Sequence, residues 1–314
     1  MSSKDNPYIS VVIPSYDADK INYLQDSIDS VLNQTYTDFE IIVITEGNEL
    51  THKINSIYGD NKKISINKIV NKNGGVAYAR NKGLEMSNGE IVAYLDSDAV
   101  ARKDWLKNMS EIYGNNEDIL SVGGLSVANW IGEKPKYLPP EFYWLVGVTH
   151  DGHPKDGSYI RSAFGCNLSY KKSIFKNMNA FNVNFGKDHG YNLQGEEPEL
   201  GSRIINEYGA GMYYSEDIVV YHAVEPYQCD FNWLSKRAYL QGITKAKLKK
   251  ETPDVELNTE GRYLKQLYLK SIPDYLMKII RDRDVIESSY NIFGIIYFTI
   301  LVFIGYIIGN IKNI

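Results

Sequence analysis

Short apolar runs alternate with amphipathic stretches through the first third of the chain. Tyr8–Ile13, Phe39–Ile44 and Ile91–Leu95 are nearly continuous apolar segments rich in branched side chains, as expected of strands buried on both faces. Ile64–Val70 alternates apolar and polar positions and predicts a shorter strand. Between the first two runs Leu24, Ile28, Val31 and Leu32 recur at helical spacing. Leu50–Tyr58 and Val76–Met86 also read as helices. Pro14 stops the first strand, Gly47-Asn48 and Asn73-Gly74-Gly75 mark turns, and Gly89 stands where a left-handed cap follows a helix. This strand–helix rhythm predicts an α/β fold with a doubly wound, mainly parallel sheet.

The pattern then changes. Trp105–Tyr113 reads as a helix and Leu120–Val127 as a strand, while Pro135–Trp144 is rich in Pro and aromatics and has no clean period. Ala163–Tyr170 predicts a strand, Glu199–Tyr208 a helix, and Met212–Tyr214 and Ile218–Tyr221 two short strands. Asn232–Lys250 is a helix with Lys245, Lys247, Lys249 and Lys250 crowded at its end. Tyr263–Ile280 mixes aromatics, Leu and Lys around Pro273, which suits either a membrane-surface helix or a solvated helix packed on the main domain. Ile292–Ile311 holds no charge, and roughly 20 residues at about 1.5 Å each match a bilayer core of about 30 Å. The expected division is therefore a main domain over 1–250, a linker with membrane-surface helices over 251–291, and a transmembrane helix over 292–311. Lys278, Arg281 and Arg283 precede that helix, so the positive-inside rule places the large N-terminal part in the cytoplasm, with only Lys312 opposing.

The full chain has 314 residues and a net charge of −5, which argues against a general nucleic-acid binder. Cys166 and Cys229 form neither a disulfide framework nor a metal-ligand spacing, as expected for a reducing compartment. The short polar segment before Tyr8 does not resemble a signal peptide.

The chemistry gathers where the fourth strand ends. Asp96-Ser97-Asp98 sets two carboxylates at a strand tip, the place where ligands bind open α/β sheets. Hard oxygen ligands of this kind suit Mg2+ or Mn2+, which in turn hold a diphosphate. Acidic loops are common and usually only solvated, so the weight comes from the position behind several strand–helix units.

Taken in order, several segments resemble the inverting family 2 glycosyltransferases of the GT-A fold. They are Val11-Val12-Ile13-Pro14-Ser15-Tyr16-Asp17, Ser30-Val31-Leu32-Asn33-Gln34-Thr35-Tyr36, the stretch Asn73–Gly83, the Asp96-Ser97-Asp98 triplet, and Gly195-Glu196-Glu197-Pro198-Glu199. The resemblance implies a nucleotide-diphospho-sugar transferase that uses Mn2+ or Mg2+, with Asp98 as direct metal ligand and Asp96 on ribose or a metal-bound water. It implies Glu197 as general base, with Glu196 the close competitor, and nearby Glu199 adding to mutual repulsion. It places Pro14, Tyr16 and Glu46 at the base and ribose, Arg80 near base or diphosphate, and Arg237 near phosphates. His222 is a third metal ligand or a structural histidine. Thr45-Glu46 departs from the Asp-Asp pair usual in the family. Asp188-His189 reads as part of an active-site loop. Pro139–Gly147 resembles members that build glycans on lipid carriers, implying a UDP-sugar donor, with a uronic-acid-type sugar as one candidate, and a dolichyl- or polyprenyl-phosphate-linked saccharide acceptor in N-glycan assembly. Capsule or exopolysaccharide synthesis is the alternative. Two rival classes stand beside these readings. One is a haloacid-dehalogenase-type phosphatase with Asp96 as nucleophile, although that motif usually sits on the first strand. The other is a non-catalytic sugar-nucleotide binder.

Overall fold

The computed structural model describes residues 6–70, 75–185, 193–252 and 258–312. The apolar runs become strands β1 (Ile9–Ser15), β2 (Phe39–Glu46), β3 (Ile64–Ile69) and β4 (Ile91–Tyr94). Helices α1 (Ile21–Leu32), α2 (Asn48–Tyr58) and α3 (Gly75–Met86) alternate with them. A three-residue strand β5 (Ala99–Ala101), which the sequence pattern did not signal, precedes α4 (Trp105–Asn115). Then come β6 (Ser121–Trp130), β7 (Tyr159–Ile160), β8 (Leu168–Lys171), α5 (Glu196–Tyr208) and β9 (Met212–Val224). The chain ends in α6 (Phe231–Glu251), α7 (Asn258–Gln266), α8 (Ile272–Arg281) and α9 (Val285–Ile311).

The strand order is β3-β2-β1-β4-β8-β6-β9-β5, with β7 beside β9. β3, β2, β1 and β4 are parallel, as the pattern predicts. From β8 onward the described pairings are antiparallel. β1 and β4 are buried throughout, which explains their unbroken apolar sequence. One apolar cluster joins Val11, Ile13, Leu24, Ile28, Ile41 and Trp105; a second joins Val12, Ile42, Ala77, Tyr94, Tyr170 and Leu200. α3 can lie close to β1 because residue 83 is Gly: a Cβ there would run into the Val12 side chain.

Two compact units divide the chain. The first comprises residues 1–127, 155–187 and 196–222; the second comprises 128–154, 188–195 and 223–314. The first holds the sheet-centred core just described. In the second, the aperiodic Pro-rich stretch contains a 3-10 helix, Pro140–Val146. Phe142, Leu145, Leu234, Ala238, Tyr275, Ile295 and Phe298 form its core. The Tyr263–Ile280 segment is the end of α7, a π turn at Leu267–Ser271 and most of α8. The widened turn admits Pro273 in the first turn of α8 without breaking the path. Helix α9 starts earlier than the uncharged run predicts, at Val285. It is long and apolar enough to cross a membrane.

Candidate active site

The carboxylate pair is placed by the chain's exit from β4. Leu95 donates its N–H to the Val12 carbonyl (3.1 Å), continuing the parallel pairing for one residue. The chain then turns: the Asp96 carbonyl accepts from the Ala99 N–H (3.1 Å) and from Ser27 Oγ (3.2 Å). β5 begins at Ala99 and pairs antiparallel with β9 in a register that sets Ala99 opposite His222. This register brings His222 to the Asp-x-Asp turn. Its Nε2 lies 3.4 Å from Asp98 Oδ1, and ligand atoms of Asp96, Asp98 and His222 all fall within 4.8 Å of one another. Burial pushes the Asp96 carboxyl above its usual range against the pull of Arg80. Burial also works on Asp98, but the His222 ring outweighs it and holds that carboxyl low. Two hard oxygens and one imidazole nitrogen at this spacing fit a divalent cation, and the mixed set suits Mn2+ as well as Mg2+.

The second part of the site centres on Arg80. Ala77, Arg80, Gly83 and Leu84 share the buried face of α3, so the guanidinium points inward. It is buried, and its Nη2 donates to Asp96 Oδ1 at 3.0 Å. Its Nη1 lies 2.9 Å from Glu197 Oε1 and 3.3 Å from Glu196 Oε1. The Phe181 ring lies 5.5 Å from the guanidinium carbon. Glu196 and Glu197 come from the first turn of α5, where acids also favour the helix dipole. Glu199 does not join them, because Arg203 holds it through Nε (2.7 Å) and Nη2 (2.9 Å). The mutual repulsion expected of the three acids is thus met by two arginines. One cation links the metal-type turn to the candidate base.

Gly165 completes this pocket. A Cβ at that position would run into the Arg80 guanidinium and the Glu197 carboxylate. Asn167 steadies the loop: its Nδ2 donates to the carbonyls of Leu125 (3.0 Å) and Ile218 (2.8 Å), and its Oδ1 accepts from Trp105 Nε1 (2.8 Å). Gly165→Ala is expected to displace Glu197, lowering turnover at least tenfold while costing about 1–3 kcal/mol of stability by overpacking. Steady-state kinetics beside a melting curve would check it, and unchanged turnover would show that the pocket tolerates a methyl group.

The other predicted residues fall as follows. Pro14 is buried in β1 opposite Ile44. Tyr16, just past the strand tip, is 78% exposed and so free to stack on a planar ligand. Thr45 is buried with its hydroxyl 2.7 Å from that of Thr51, whereas Glu46 ends β2 partly exposed. The departure from an Asp-Asp pair therefore places a core hydroxyl at the first position and keeps a carboxylate at the second. Arg237 belongs to the second unit, where its Nε donates to the Leu145 carbonyl at 3.3 Å. Asp188-His189 and the Asn73-Gly74 turn lie outside the described residues. Sequence reasoning did not single out Gly165 or Phe181. Neither carries a local signal: Gly165 matters through its close approach to Arg80 and Glu197, and Phe181 meets Arg80 from within the aromatic core.

With this geometry in view, residues 10–178 match the profile described as glycosyl transferase family 2, over half of the chain. The chain belongs to that family. This family 2 transferase is 30% identical over 302 residues to the glucosyl-dolichyl phosphate glucuronosyltransferase of Haloferax volcanii, an alignment that covers 96% of each chain. A shorter match, 32% over 135 residues, joins it to the chondroitin synthase of Pasteurella multocida, covering 39% of this chain and 14% of the synthase. Among solved structures, a mannosyltransferase from Pyrobaculum calidifontis, in complex with GDP-Man and Mn2+, superimposes with a TM-score of 0.64. That superposition runs at 14% identity over 99% of this chain and 88% of the neighbour. These likenesses establish a GT-A fold and an enzyme that transfers sugars, and they set aside the phosphatase reading of Asp96.

Proposed function

We propose that this family 2 enzyme moves a sugar, of uronic type, from a UDP-sugar to a dolichyl- or polyprenyl-phosphate-linked saccharide in N-glycan assembly, with inversion at the anomeric carbon. One observation carries the chemistry: the Asp96–Asp98–His222 cluster and the carboxylate of Glu197 are joined through a single buried arginine. The nature of donor and acceptor is supported by the full-length similarity to the Haloferax volcanii enzyme.

A divalent cation held by Asp98, Asp96 and His222 would supply positive charge against the departing diphosphate. Glu197 accepts the proton of the attacking hydroxyl. Its Oε1 is engaged by Arg80, which directs the proton to Oε2. Tyr16 stacks on the base, Pro14 and Glu46 border base and ribose, and Arg237 attracts phosphates. Arg80 lies near the nucleotide base or diphosphate and also sets the distance between the donor-side carboxylate and the general base. The apolar C-terminal helix holds the enzyme at the membrane, with its catalytic part facing the cytoplasm.

The test is a transfer assay on purified full-length protein in detergent. Labelled UDP-sugars, UDP-glucuronate included, are offered with a lipid-phosphate-linked sugar and Mn2+ or Mg2+, against a chelator. Metal-dependent label in the lipid fraction is expected. Transfer to a soluble oligosaccharide alone would favour polysaccharide synthesis, the reading the chondroitin synthase match supports. Donor binding with no transfer to any acceptor would overturn the enzymatic assignment of these substrates. In the same assay His222→Gln is expected to raise the metal concentration for half-maximal turnover about tenfold or more, at least the loss seen when a group merely supporting a ligand is removed. An unchanged metal dependence would take His222 out of the ligand set.

A further inference from the structure

Helix α9 is 27 residues long and has no charge between Glu287 and Lys312. Its buried positions, Ser288, Asn291, Gly294, Ile295, Phe298, Gly305 and Gly309, form one stripe along its whole length. Tyr137 and Pro139 cover that stripe at Gly294, and α6 fills it from Tyr297 onward. Phe231 stacks on Tyr297 with ring centroids 5.0 Å apart, and Ser235 Oγ lies 3.1 Å from Tyr297 Oη. Further along, Gly242 abuts the backbone at Val302 and Tyr306, and Gly309 abuts Ile243 and Ala246. Lys250 Nζ reaches the Gly309 carbonyl at 3.4 Å. The two helices thus run side by side in the same direction.

That pairing conflicts with a crossing. α6 carries Lys236, Arg237, Lys245, Lys247, Lys249 and Lys250 over the stretch that flanks the middle and end of α9. Lys245 is paired with Glu260 at 3.0 Å, which adds a carboxylate to the same flank. If α9 stood upright in a bilayer, all of these would enter or border the hydrocarbon, where charged side chains are rare and costly. The opposite face of α9 is different: Tyr290, Phe293, Ile296, Ile300, Phe303, Ile304 and Ile307 are exposed, and all are apolar or aromatic. A second exposed stripe runs from the preceding π turn into α8. Leu269, Pro273, Leu276, Met277 and Ile280 recur at helical spacing, and Leu269 and Ile280 are each about three-quarters exposed. Lys270, Lys278 and Arg281 flank it, with Asp274 and Asp282 among them. The mixed signs make the face apolar rather than electrostatic in character.

We infer that α8 and α9 lie in the plane of one bilayer leaflet, their apolar faces dipped below the headgroups and the charges of α6 kept on the water side. The amphipathic α8 seats in this way by itself, whereas the polar flank of α9 is supplied by α6, whose lysines extend toward water at the boundary. The choice of a bilayer, and not another protein, as the covering partner rests on the reading of a lipid-linked acceptor given above. It is also supported by the unbroken apolar character of the α9 face. The enzyme would then be embedded from one side, with both chain ends in the cytoplasm.

The experiment places one tag before Met1 and another after Ile314 of the full-length chain, in sealed inverted vesicles with the cytoplasmic face outward. Protease is expected to remove both tags without detergent, while the protein stays in the membrane pellet under alkaline carbonate. Protection of the C-terminal tag until detergent is added would show a crossing and overturn the inference. Release of the protein by carbonate would also overturn it, showing that the faces cover another protein, such as a second copy. Met277→Glu and Ile280→Glu change only exposed positions and are expected to raise the carbonate-released fraction severalfold, with little effect of salt. No increase would remove α8 from the membrane surface. None of these readouts uses sugar transfer, so a failed transfer assay leaves the result interpretable.

Discussion

Replacing Arg80 with methionine is expected to destabilise the enzyme by about 3–5 kcal/mol, the range seen when one side of a buried ionic cluster is removed. The reason is local. Arg80 is the shared cation of Asp96, Glu196 and Glu197, and Glu196 is almost fully buried. Without it, up to three carboxylates face one another in a site with little water to solvate them. They must take up protons or pull apart. The melting temperature in detergent should fall by on the order of ten degrees. Arg80→Lys keeps the charge but cannot span both sides with one planar fork, so its melting point should lie between the two. A loss under about 1 kcal/mol for Arg80→Met would show that the cluster relaxes easily and that the arginine serves the substrate instead.

Glu197→Gln is expected to lower turnover by about 10²–10⁴-fold, the usual contribution of a general base. The substitution is nearly isosteric and keeps an oxygen for Arg80, so the fold should survive and donor affinity should change little. The comparison is with Glu196→Gln. Glu196 lies at the longer 3.3 Å distance from Arg80 and is the more buried of the two. It should affect stability more than rate. If Glu196→Gln abolishes transfer while Glu197→Gln spares it, the two roles are reversed. Single-turnover measurements at saturating donor separate the chemical step from binding.

The parallel half of the sheet was legible because β1, β2 and β4 are buried almost throughout, so composition alone marks them, while the partly exposed β3 shows in its alternation. The antiparallel half was harder. Met212–Tyr214 and Ile218–Tyr221 read as separate strands because Ser215-Glu216-Asp217 interrupts the apolar pattern. In the structure the backbone continues through them, since β7 pairs with its beginning and β5 with its end. The predicted strand Ala163–Tyr170 begins only at Leu168, because Gly165 and Asn167 are engaged in loop contacts around Arg80 and Trp105. At the site, Asp96 and Asp98 were visible because the motif is local. Arg80 was named from its motif, but two of its carboxylate partners, Glu196 and Glu197, lie more than a hundred residues away and nothing near it in sequence indicates them. The charged flank of α9 was hidden for the same reason. Hydropathy along one helix does not report which helix lies beside it.

The register that sets Ala99 opposite His222 has a consequence for biosynthesis. Asp96 and Asp98 leave the ribosome early, within the contiguous segment that builds the parallel strands. Their imidazole partner and the acids of α5 follow only after the whole insertion at 128–154 has been made. The candidate active centre is therefore among the last features of the first unit to assemble, whatever the order in which its strands condense. A chain cut short before β9 would retain an acidic turn without the histidine strand beside it. A stalled or truncated product should thus be unable to act on nucleotide sugars, however well its first strands have folded.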